Sequence, residues 1–217
     1  YISFKYKFVF LHIPKTAGTT IKSILFNEIK DIRDIILGSA DIKFSENYQK
    51  FFNYHFNISK HSSIEDLFKK NVLDYFENFK FFTIFRDPID RVYSCYNYCR
   101  QNDSFYKNFK NFNDINDFIA SDLFFLSNGI DNVYAPQSNF IKLNNKKYNT
   151  IQIYKKISKL VDDLNFLYKL DIKHIPILNQ SKKPKIKVTL SDSNLKRVSK
   201  KYHEDFIIWK NLSSDEC

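Results

Sequence analysis

The 217-residue sequence is short of glycine, proline and cysteine, and each shortage excludes a class of protein. Three glycines and five prolines are too few for a collagen-like, linker-like or low-complexity chain. Three cysteines exclude a scaffold held together by disulfides. No apolar run reaches the roughly 18 residues that a membrane-spanning helix needs. The remaining composition, 43% hydrophobic and 27% charged, predicts a soluble globular protein with one domain over residues 1–217.

The net charge of +10 is concentrated in one segment. Residues 142–187 hold 12 lysines and three aspartates, a balance of +9, whereas residues 1–141 are nearly neutral. Such a block is either a solvated face or a surface that attracts polyanions and highly phosphorylated ligands. The charge alone does not choose between nucleic acid, acidic polysaccharide and nucleotide.

Strands and helices alternate along the chain. Residues 4–13 and 79–85 are predicted as buried strands. A loop and a helix follow each of them, over 19–30 and 88–100, and Asp87 followed by a proline is a strong helix start. Further strands are predicted over 51–56 and 150–154, and further helices over 63–76, 114–126, 134–142, 155–170 and 191–209. This alternation favours an α/β fold, with a parallel sheet covered by helices on both faces.

The first strand-to-helix junction carries groups suited to phosphate. Its sequence, PKTAGTT at 14–20, supplies a lysine charge, three hydroxyls and a glycine that permits close backbone approach. In open α/β sheets, ligands bind beyond the carboxyl ends of strands, where helix N-termini direct N–H groups toward anions. The chemistry is that of a P-loop, but Lys15 precedes Gly18, whereas a Walker A loop has its lysine after the glycines.

The second junction is FRDPIDRVYSCY at 85–96. Arg86 follows the strand, where a guanidinium can bind phosphate with two parallel hydrogen bonds. Ser94 lies seven residues after Asp87, about two helical turns, and so on the same face. The i,i+4 spacing of Asp87 and Arg91 predicts that these two side chains pair with each other. The alternative for Arg86 is an ion pair at the sheet edge.

Together, the two junctions resemble the paired signatures of a known enzyme family. FLHIPKTAGTT and FRDPIDRVYSCY resemble those of sulfotransferases that use 3′-phosphoadenosine 5′-phosphosulfate (PAPS), in the carbohydrate branch related to the heparan sulfate 2-O and chondroitin enzymes. HIPILNQSKKPK at 174–185 and YHEDFIIW at 202–209 are similar to the family's Asn-x-Ser loop and terminal helix. The resemblance implies the P-loop-like sulfotransferase fold.

The resemblance also implies roles for individual residues. The first loop would hold the 5′-phosphosulfate, the second junction the 3′-phosphate, and the basic loop near residue 180 would close over the donor. The donor-binding residues implied in this way are Lys15, Thr16, Ala17, Gly18, Thr19, Thr20, Arg86, Ser94, Ser181 and Lys183.

Sulfuryl transfer needs a base at the acceptor hydroxyl and a cation or donor at the leaving group. Lys15 is the candidate for the second task. His55 is the predicted base, since FFNYHF resembles the family's Gly-His-aromatic segment, with Tyr54 where glycine is usual. His61 is its nearest competitor, and His12 is disfavoured because it lies inside a predicted buried strand. No metal is expected, because a sulfuryl group carries less charge than a phosphoryl group and the histidines lack ligand spacing.

Two other classes of protein fit the sequence less well. A nucleotide-dependent kinase predicts a Walker A order and an acidic Mg²⁺ ligand at a strand end, and both are missing. A basic nucleic-acid-binding module leaves the two junctions unexplained. The resemblance implies a nucleotide sulfate donor and a carbohydrate acceptor as partners, with the basic segment as a rim for an anionic acceptor. No nucleic acid is expected.

Cysteine usage and the N-terminus bear on the compartment. Cys95 and Cys99 are spaced i,i+4 on a predicted helix, which is poor geometry for a disulfide, and we expect both to be small buried apolar groups. A near-complete chain would be cytoplasmic, whereas a chain that has lost an N-terminal anchor would belong to the Golgi lumen.

Overall fold

The chain folds into two compact units. The computed structural model describes residues 1–29, 59–102, 107–129, 132–144, 146–148, 151–176 and 188–214. The sheet unit comprises Tyr1–Ile13, Ala17–Phe85 and Asn139–Leu178, and the helical unit comprises Pro14–Thr16, Arg86–Ser138 and Asn179–Cys217. The expectation of one domain stays a prediction.

The sheet unit is built on a four-stranded, mostly parallel sheet. In spatial order its strands are β1 (Ile2–Ser3), β2 (Phe8–Phe10), β3 (Lys80–Ile84) and β6 (Ile151–Tyr154). A separate antiparallel pair consists of β4 (Lys142–Leu143) and β5 (Lys146–Lys147). β1 runs antiparallel to β2, and β2, β3 and β6 are parallel to one another. In the register, Val9 lies opposite Phe81, and Thr83 opposite Ile153.

Five of the eight described helices begin at a side-chain N-cap. In the described part of the chain the helices are α1 (Gly18–Ile29), α2 (Ile64–Lys69), α3 (Pro88–Gln101), α4 (Ile115–Ala120), α5 (Asp122–Leu126), α6 (Ile157–Tyr168), α7 (Asp192–Lys201) and α8 (His203–Ser214). Asp87 is the N-cap of α3 and accepts the N–H of Asp90 at 3.0 Å, as predicted. None of these helices is long and apolar enough to cross a membrane.

Aromatic side chains fill the core of the sheet unit. Phe8, Phe10 and Phe82 share one face of the sheet, with ring centroids 5.1 Å apart for Phe8 and Phe82 and 5.6 Å apart for Phe10 and Phe82. Buried residues of α1 and α6, such as Leu25 and Leu164, pack against them. The opposite face is buried as well, through apolar residues such as Val9, Phe81 and Ile151. The predicted α/β class, a mostly parallel central sheet flanked by helices, is confirmed.

The helical unit has an aromatic core of its own. Its members on α3 include Cys95 and Cys99, which pack with Phe118, Phe124 and Tyr202 from later helices. Both cysteines are free thiols and buried, which confirms the expectation for them. This core gives α3 a fixed inner face.

One predicted helix is wrong. Over 134–142 only the 3-10 turn Gln137–Phe140 forms, and the chain then extends into β4. The carboxylate of Asp205 accepts the N–H groups of Gln137 and Ser138, at 2.7 Å and 2.8 Å. A partner 67 residues away therefore takes the Ser138 N–H that an α-helix would direct to the carbonyl four residues back.

Three other predicted helices are interrupted. Residues 63–76 form α2 and then a 3-10 turn at Leu73–Phe76, and residues 114–126 form α4 and α5, separated by Ser121. The last predicted helix is two helices that meet at Tyr202, whose hydroxyl donates to the Tyr134 carbonyl at 2.7 Å. The predicted strand over 51–56 lies outside the described residues.

Candidate functional site

The first junction holds two residues in a strained backbone conformation. Lys15 and Ala17 have φ values of 67° and 68°, in the left-handed region. For residues with a Cβ this region costs on the order of 1–2 kcal/mol each, and such strain concentrates at functional sites. The side chain of Ala17 is exposed, which leaves the loop open at this point.

The Lys15 ammonium lies in a half-buried, positively charged environment. Its Nζ is 3.9 Å from the centroid of the Tyr98 ring. Burial lowers the pKa of Lys15, and the charges of Arg86 and Arg91 lower it further. The thiolate form of Cys95 would oppose this, but burial raises the pKa of that thiol, so it is neutral at pH 7. No described carboxylate forms an ion pair with Lys15, and a bound anion would supply a counter-charge.

Arg91 holds the start of the first loop. It is only 1% exposed, and its guanidinium donates to the carbonyls of Pro14 at 3.0 Å, Ala135 at 2.8 Å and Val133 at 3.3 Å. The ion pair predicted between Arg91 and Asp87 is wrong, because the Asp87 carboxylate caps α3 while Arg91 points into the core. Arg91 thus fixes the main chain that precedes Lys15.

Arg86 and Ser94 occupy the second junction. The Arg86 side chain is exposed, and its guanidinium has no ion pair or hydrogen bond within the part of the chain that the structure describes. The predicted alternative, a sheet-edge ion pair, is therefore not found there. Ser94 lies on α3, 8% exposed, and its hydroxyl bonds to no described residue. Both side chains can accept a ligand.

The main chain of Arg86 is clamped by Gln137. The Arg86 N–H donates to Gln137 Oε1 and the Gln137 Nε2 donates to the Arg86 carbonyl, both at 2.9 Å. Gln137 is fully buried and the carboxylate of Asp205 holds its own main chain. The main chain of Arg86 is thus fixed, while its guanidinium is exposed.

Within the sheet unit, Gly18 begins α1 against the ring of His12. A Cβ at position 18 would lie 1.9 Å from His12 Cδ2 and Nε2, so only glycine fits. β2 ends at Phe10, which places His12 after the strand and not inside it as predicted. Burial, with the nearby His61, holds the pKa of His12 well below its ordinary value, and the ring is neutral at pH 7.

His61, the competing base, has a fixed tautomer. Its ring centroid is 4.6 Å from that of His12, and its Nδ1 lies 3.0 Å from the His12 carbonyl oxygen. A carbonyl only accepts, so Nδ1 carries the hydrogen and the neutral ring has its lone pair on Nε2. This is the tautomer that a general base acting through Nε2 requires.

The threonines of the first loop differ in exposure. Thr16 is 1% exposed and Thr20 6%, whereas Thr19 is exposed. The hydroxyls of Thr19 and Thr20 bond to no other described residue, which leaves them available at the start of α1. Other predicted site residues lie outside the described part of the chain, namely His55, Ser181 and Lys183.

Sequence reasoning missed the residues that hold the predicted ones. The ring of Tyr98 contacts the Lys15 ammonium, and Gln137, which is held by Asp205, binds the main chain of Arg86. No spacing or motif in the sequence indicated these contacts. The seven-residue step from Asp87 marked Ser94, but the same reasoning gave Arg91 the wrong partner. Partners tens of residues away leave no periodic signal.

Proteins with an α/β fold bind phosphate-containing ligands beyond the carboxyl ends of parallel strands. This chain has a cationic side chain after each of two parallel strands, Lys15 after β2 and Arg86 after β3. A family model described as the sulfotransferase family matches residues 1–210. The chain therefore belongs to the sulfotransferase family, which makes it a transferase and supports sulfuryl transfer in general. No curated protein and no solved structure matches the chain.

Proposed function

We propose that the protein transfers the sulfuryl group of PAPS to an acceptor hydroxyl on a carbohydrate by in-line displacement. The observation that carries the proposal is the cation cluster of Lys15, Arg86 and Arg91, of which the first two form no ion pair with a described residue. Burial lowers the pKa of Lys15, the charges of Arg86 and Arg91 lower it further, and an anion bound beside Lys15 would stabilise its ammonium form. A donor with two separate phosphate positions suits a lysine and an arginine on separate junctions.

The donor set fits PAPS in its chemistry. The six loop residues from Lys15 to Thr20 would hold the 5′-phosphosulfate, with one ammonium, three hydroxyls and the N–H groups at the start of α1. Arg86 and Ser94 would hold the 3′-phosphate, and Ser181 and Lys183 would cover the nucleotide. When bound, PAPS supplies the sulfuryl group and leaves as 3′-phosphoadenosine 5′-phosphate.

Two side chains of this chain would act on the reacting atoms. Lys15 would stabilise the negative charge that builds on the phosphate oxygen as the bond to sulfur breaks. His55 would accept the proton of the acceptor hydroxyl. His61 is the second candidate base, favoured by the tautomer that its Nδ1–H bond to the His12 carbonyl maintains. The proposed chemistry needs no metal ion.

The acceptor is proposed from charge and resemblance. The +9 segment over 142–187 would form a rim that attracts an anionic sugar chain. A carbohydrate acceptor of this kind suits an enzyme of the Golgi lumen, and this compartment is part of the proposal.

Calorimetry with nucleotides tests the donor. The protein should bind 3′-phosphoadenosine 5′-phosphate more tightly than ATP with Mg²⁺, because only the former offers a 3′-phosphate to Arg86. Tighter binding of ATP with Mg²⁺ would overturn the proposal in favour of a kinase.

The two candidate bases are separated by paired variants. His55→Ala should lower kcat by roughly 10²- to 10⁴-fold, the usual contribution of a general base, while the affinity for 3′-phosphoadenosine 5′-phosphate stays unchanged. His61→Ala should retain most of the transfer rate. If the rates are reversed, the base is His61, and if neither variant loses activity, base catalysis by histidine is wrong.

A further inference from the structure

Gln137 uses its whole side-chain amide on the main chain of one residue. Its Oε1 accepts from the Arg86 N–H and its Nε2 donates to the Arg86 carbonyl, each at 2.9 Å, across 51 residues of sequence. The amide is fully buried, so it cannot exchange these bonds for water without opening the core. The pair of bonds fixes both the position and the orientation of the Arg86 peptide groups.

A carboxylate anchors the clamp from behind. Asp205 on α8 accepts the N–H groups of Gln137 at 2.7 Å and Ser138 at 2.8 Å, one on each carboxylate oxygen. Asp205 is itself fully buried. Hydrogen bonds to a carboxylate are about twice as strong as those between neutral groups, so the start of the turn at Gln137–Phe140 is held firmly.

Arg86 needs such support because its side chain receives none from the described residues. The guanidinium is exposed, and an arginine side chain that is left to rotate loses rotamer entropy when it binds a ligand. A fixed backbone restricts the region that the guanidinium samples. Arginine–phosphate contacts with two parallel bonds depend on that orientation.

We propose that Gln137, anchored by Asp205, is a positioning residue that aims Arg86 at the 3′-phosphate of the donor nucleotide. The inference rests on the proposed function, since it takes the 3′-phosphate as the ligand of Arg86. Gln137 thereby determines discrimination for the 3′-phosphate without touching the nucleotide itself.

The experiment compares two nucleotides that differ only in the 3′-phosphate. Calorimetry gives the affinities of the whole protein for 3′-phosphoadenosine 5′-phosphate and for adenosine 5′-phosphate, and their ratio is the readout. In Gln137→Leu the ratio should fall roughly 10- to 100-fold, because a binding group that is displaced by about 1 Å can lose that much affinity. The affinity for adenosine 5′-phosphate should stay unchanged. In an Arg86→Ala background, Gln137→Leu should leave the ratio unchanged.

Asn194→Leu is the matched control. Asn194 is also a buried amide, 5% exposed, but its Nδ2 donates to the carbonyl and the Oδ1 of Asn116, at 3.0 Å and 2.9 Å. The Asn194→Leu variant should lose stability as Gln137→Leu does, but it should keep the wild-type ratio of the two nucleotide affinities. Where Gln137→Leu does not fold, Gln137→Glu serves instead, because Glu keeps an acceptor for the Arg86 N–H and should lose part of the ratio.

The outcomes separate the inference from the proposed function. A wild-type protein that does not prefer the nucleotide with the 3′-phosphate contradicts the proposed function. A wild-type preference that Gln137→Leu or Gln137→Glu retains in full overturns the positioning role and leaves the proposed function standing. An equal loss of affinity for both nucleotides also overturns it, because it indicates general damage to the fold.

Discussion

The buried side chains of the two units differ in kind. Among the described residues, the sheet unit buries the hydroxyls of Ser3, Thr20 and Thr83 and most of the neutral ring of His12 in an otherwise apolar core, and it buries no charged side chain. The helical unit buries the full charges of Arg91 and Asp205, along with several polar side chains. An apolar core stabilises the fold through the area it removes from water. A buried polar network adds little net stability but determines where its members lie.

Two of the polar side chains buried in the helical unit bind the main chain at or next to a residue of the candidate site. In the sheet unit, apolar packing shapes strands whose ends present the loops. In the helical unit, Arg91 fixes the chain before Lys15, and Gln137 fixes the chain at Arg86. Positions that must be accurate to a fraction of an ångström are thus held by directional bonds. The comparison predicts that mutations in the two cores have different consequences for binding.

Lys15→Ala should have the largest effect. Removal of one group that stabilises charge in the transition state costs roughly 10²- to 10³-fold in kcat. The thermal unfolding temperature should change little, because Lys15 forms no ion pair with a described residue. Transfer assays would measure this, with Lys196→Ala, an exposed lysine on α7, as the control. A normal rate of sulfuryl transfer by Lys15→Ala would contradict the role of Lys15 in stabilising the leaving group.

Phe82→Ala should show what the apolar core contributes. Phe82 is 4% exposed and packs on the rings of Phe8 and Phe10, so its loss should lower the free energy of unfolding by about 3–5 kcal/mol. Urea denaturation measures the loss. The protein that remains folded should keep its preference for the nucleotide with a 3′-phosphate. A changed preference would mean that the two cores are not functionally distinct.

Arg91→Met should affect stability and binding together. The substitution removes the Arg91 donor from the buried carbonyls of Pro14 and Ala135, whereas the Val133 carbonyl keeps the Cys95 thiol as a donor. We expect a loss of about 3 kcal/mol in the free energy of unfolding. Unlike Phe82→Ala, it should also weaken nucleotide binding, because the chain before Lys15 loses its support. Denaturation and calorimetry on the same variant test both effects. Unchanged nucleotide binding would contradict the role given to the polar network.

The smallest effect concerns pH and His12. Its pKa in the folded protein lies below the ordinary value of 6.5, so the unfolded chain binds more protons as the pH falls below that value. The stability of the folded state is therefore complete above about pH 6.5 and declines below it. His12→Asn should make the unfolding temperature depend less on pH between 7.5 and 5.5. An unchanged pH dependence would exclude His12 as its source.

Local signals account for the elements that were predicted well. The apolar run before Pro14 predicts β2, and Asp87 with Pro88 predicts the start of α3, because a cap and a restricted φ act within a few residues. The helix over 134–142 fails for the opposite reason, since its N–H groups bind a carboxylate 67 and 68 residues away. Helix propensity depends on neighbouring residues and contains no information about a partner this far along the chain.

The sequence by itself determined the alternating α/β fold, the caps, and the junction residues Lys15, Arg86 and Ser94, because periodicity and motif are properties of neighbouring positions. Only the tertiary structure decided how those residues are held. The Arg91 bond to Pro14 spans 77 positions and the Gln137 clamp on Arg86 spans 51. Contacts at such separations arise when helices and turns pack, and the packed core determines which donor meets which acceptor.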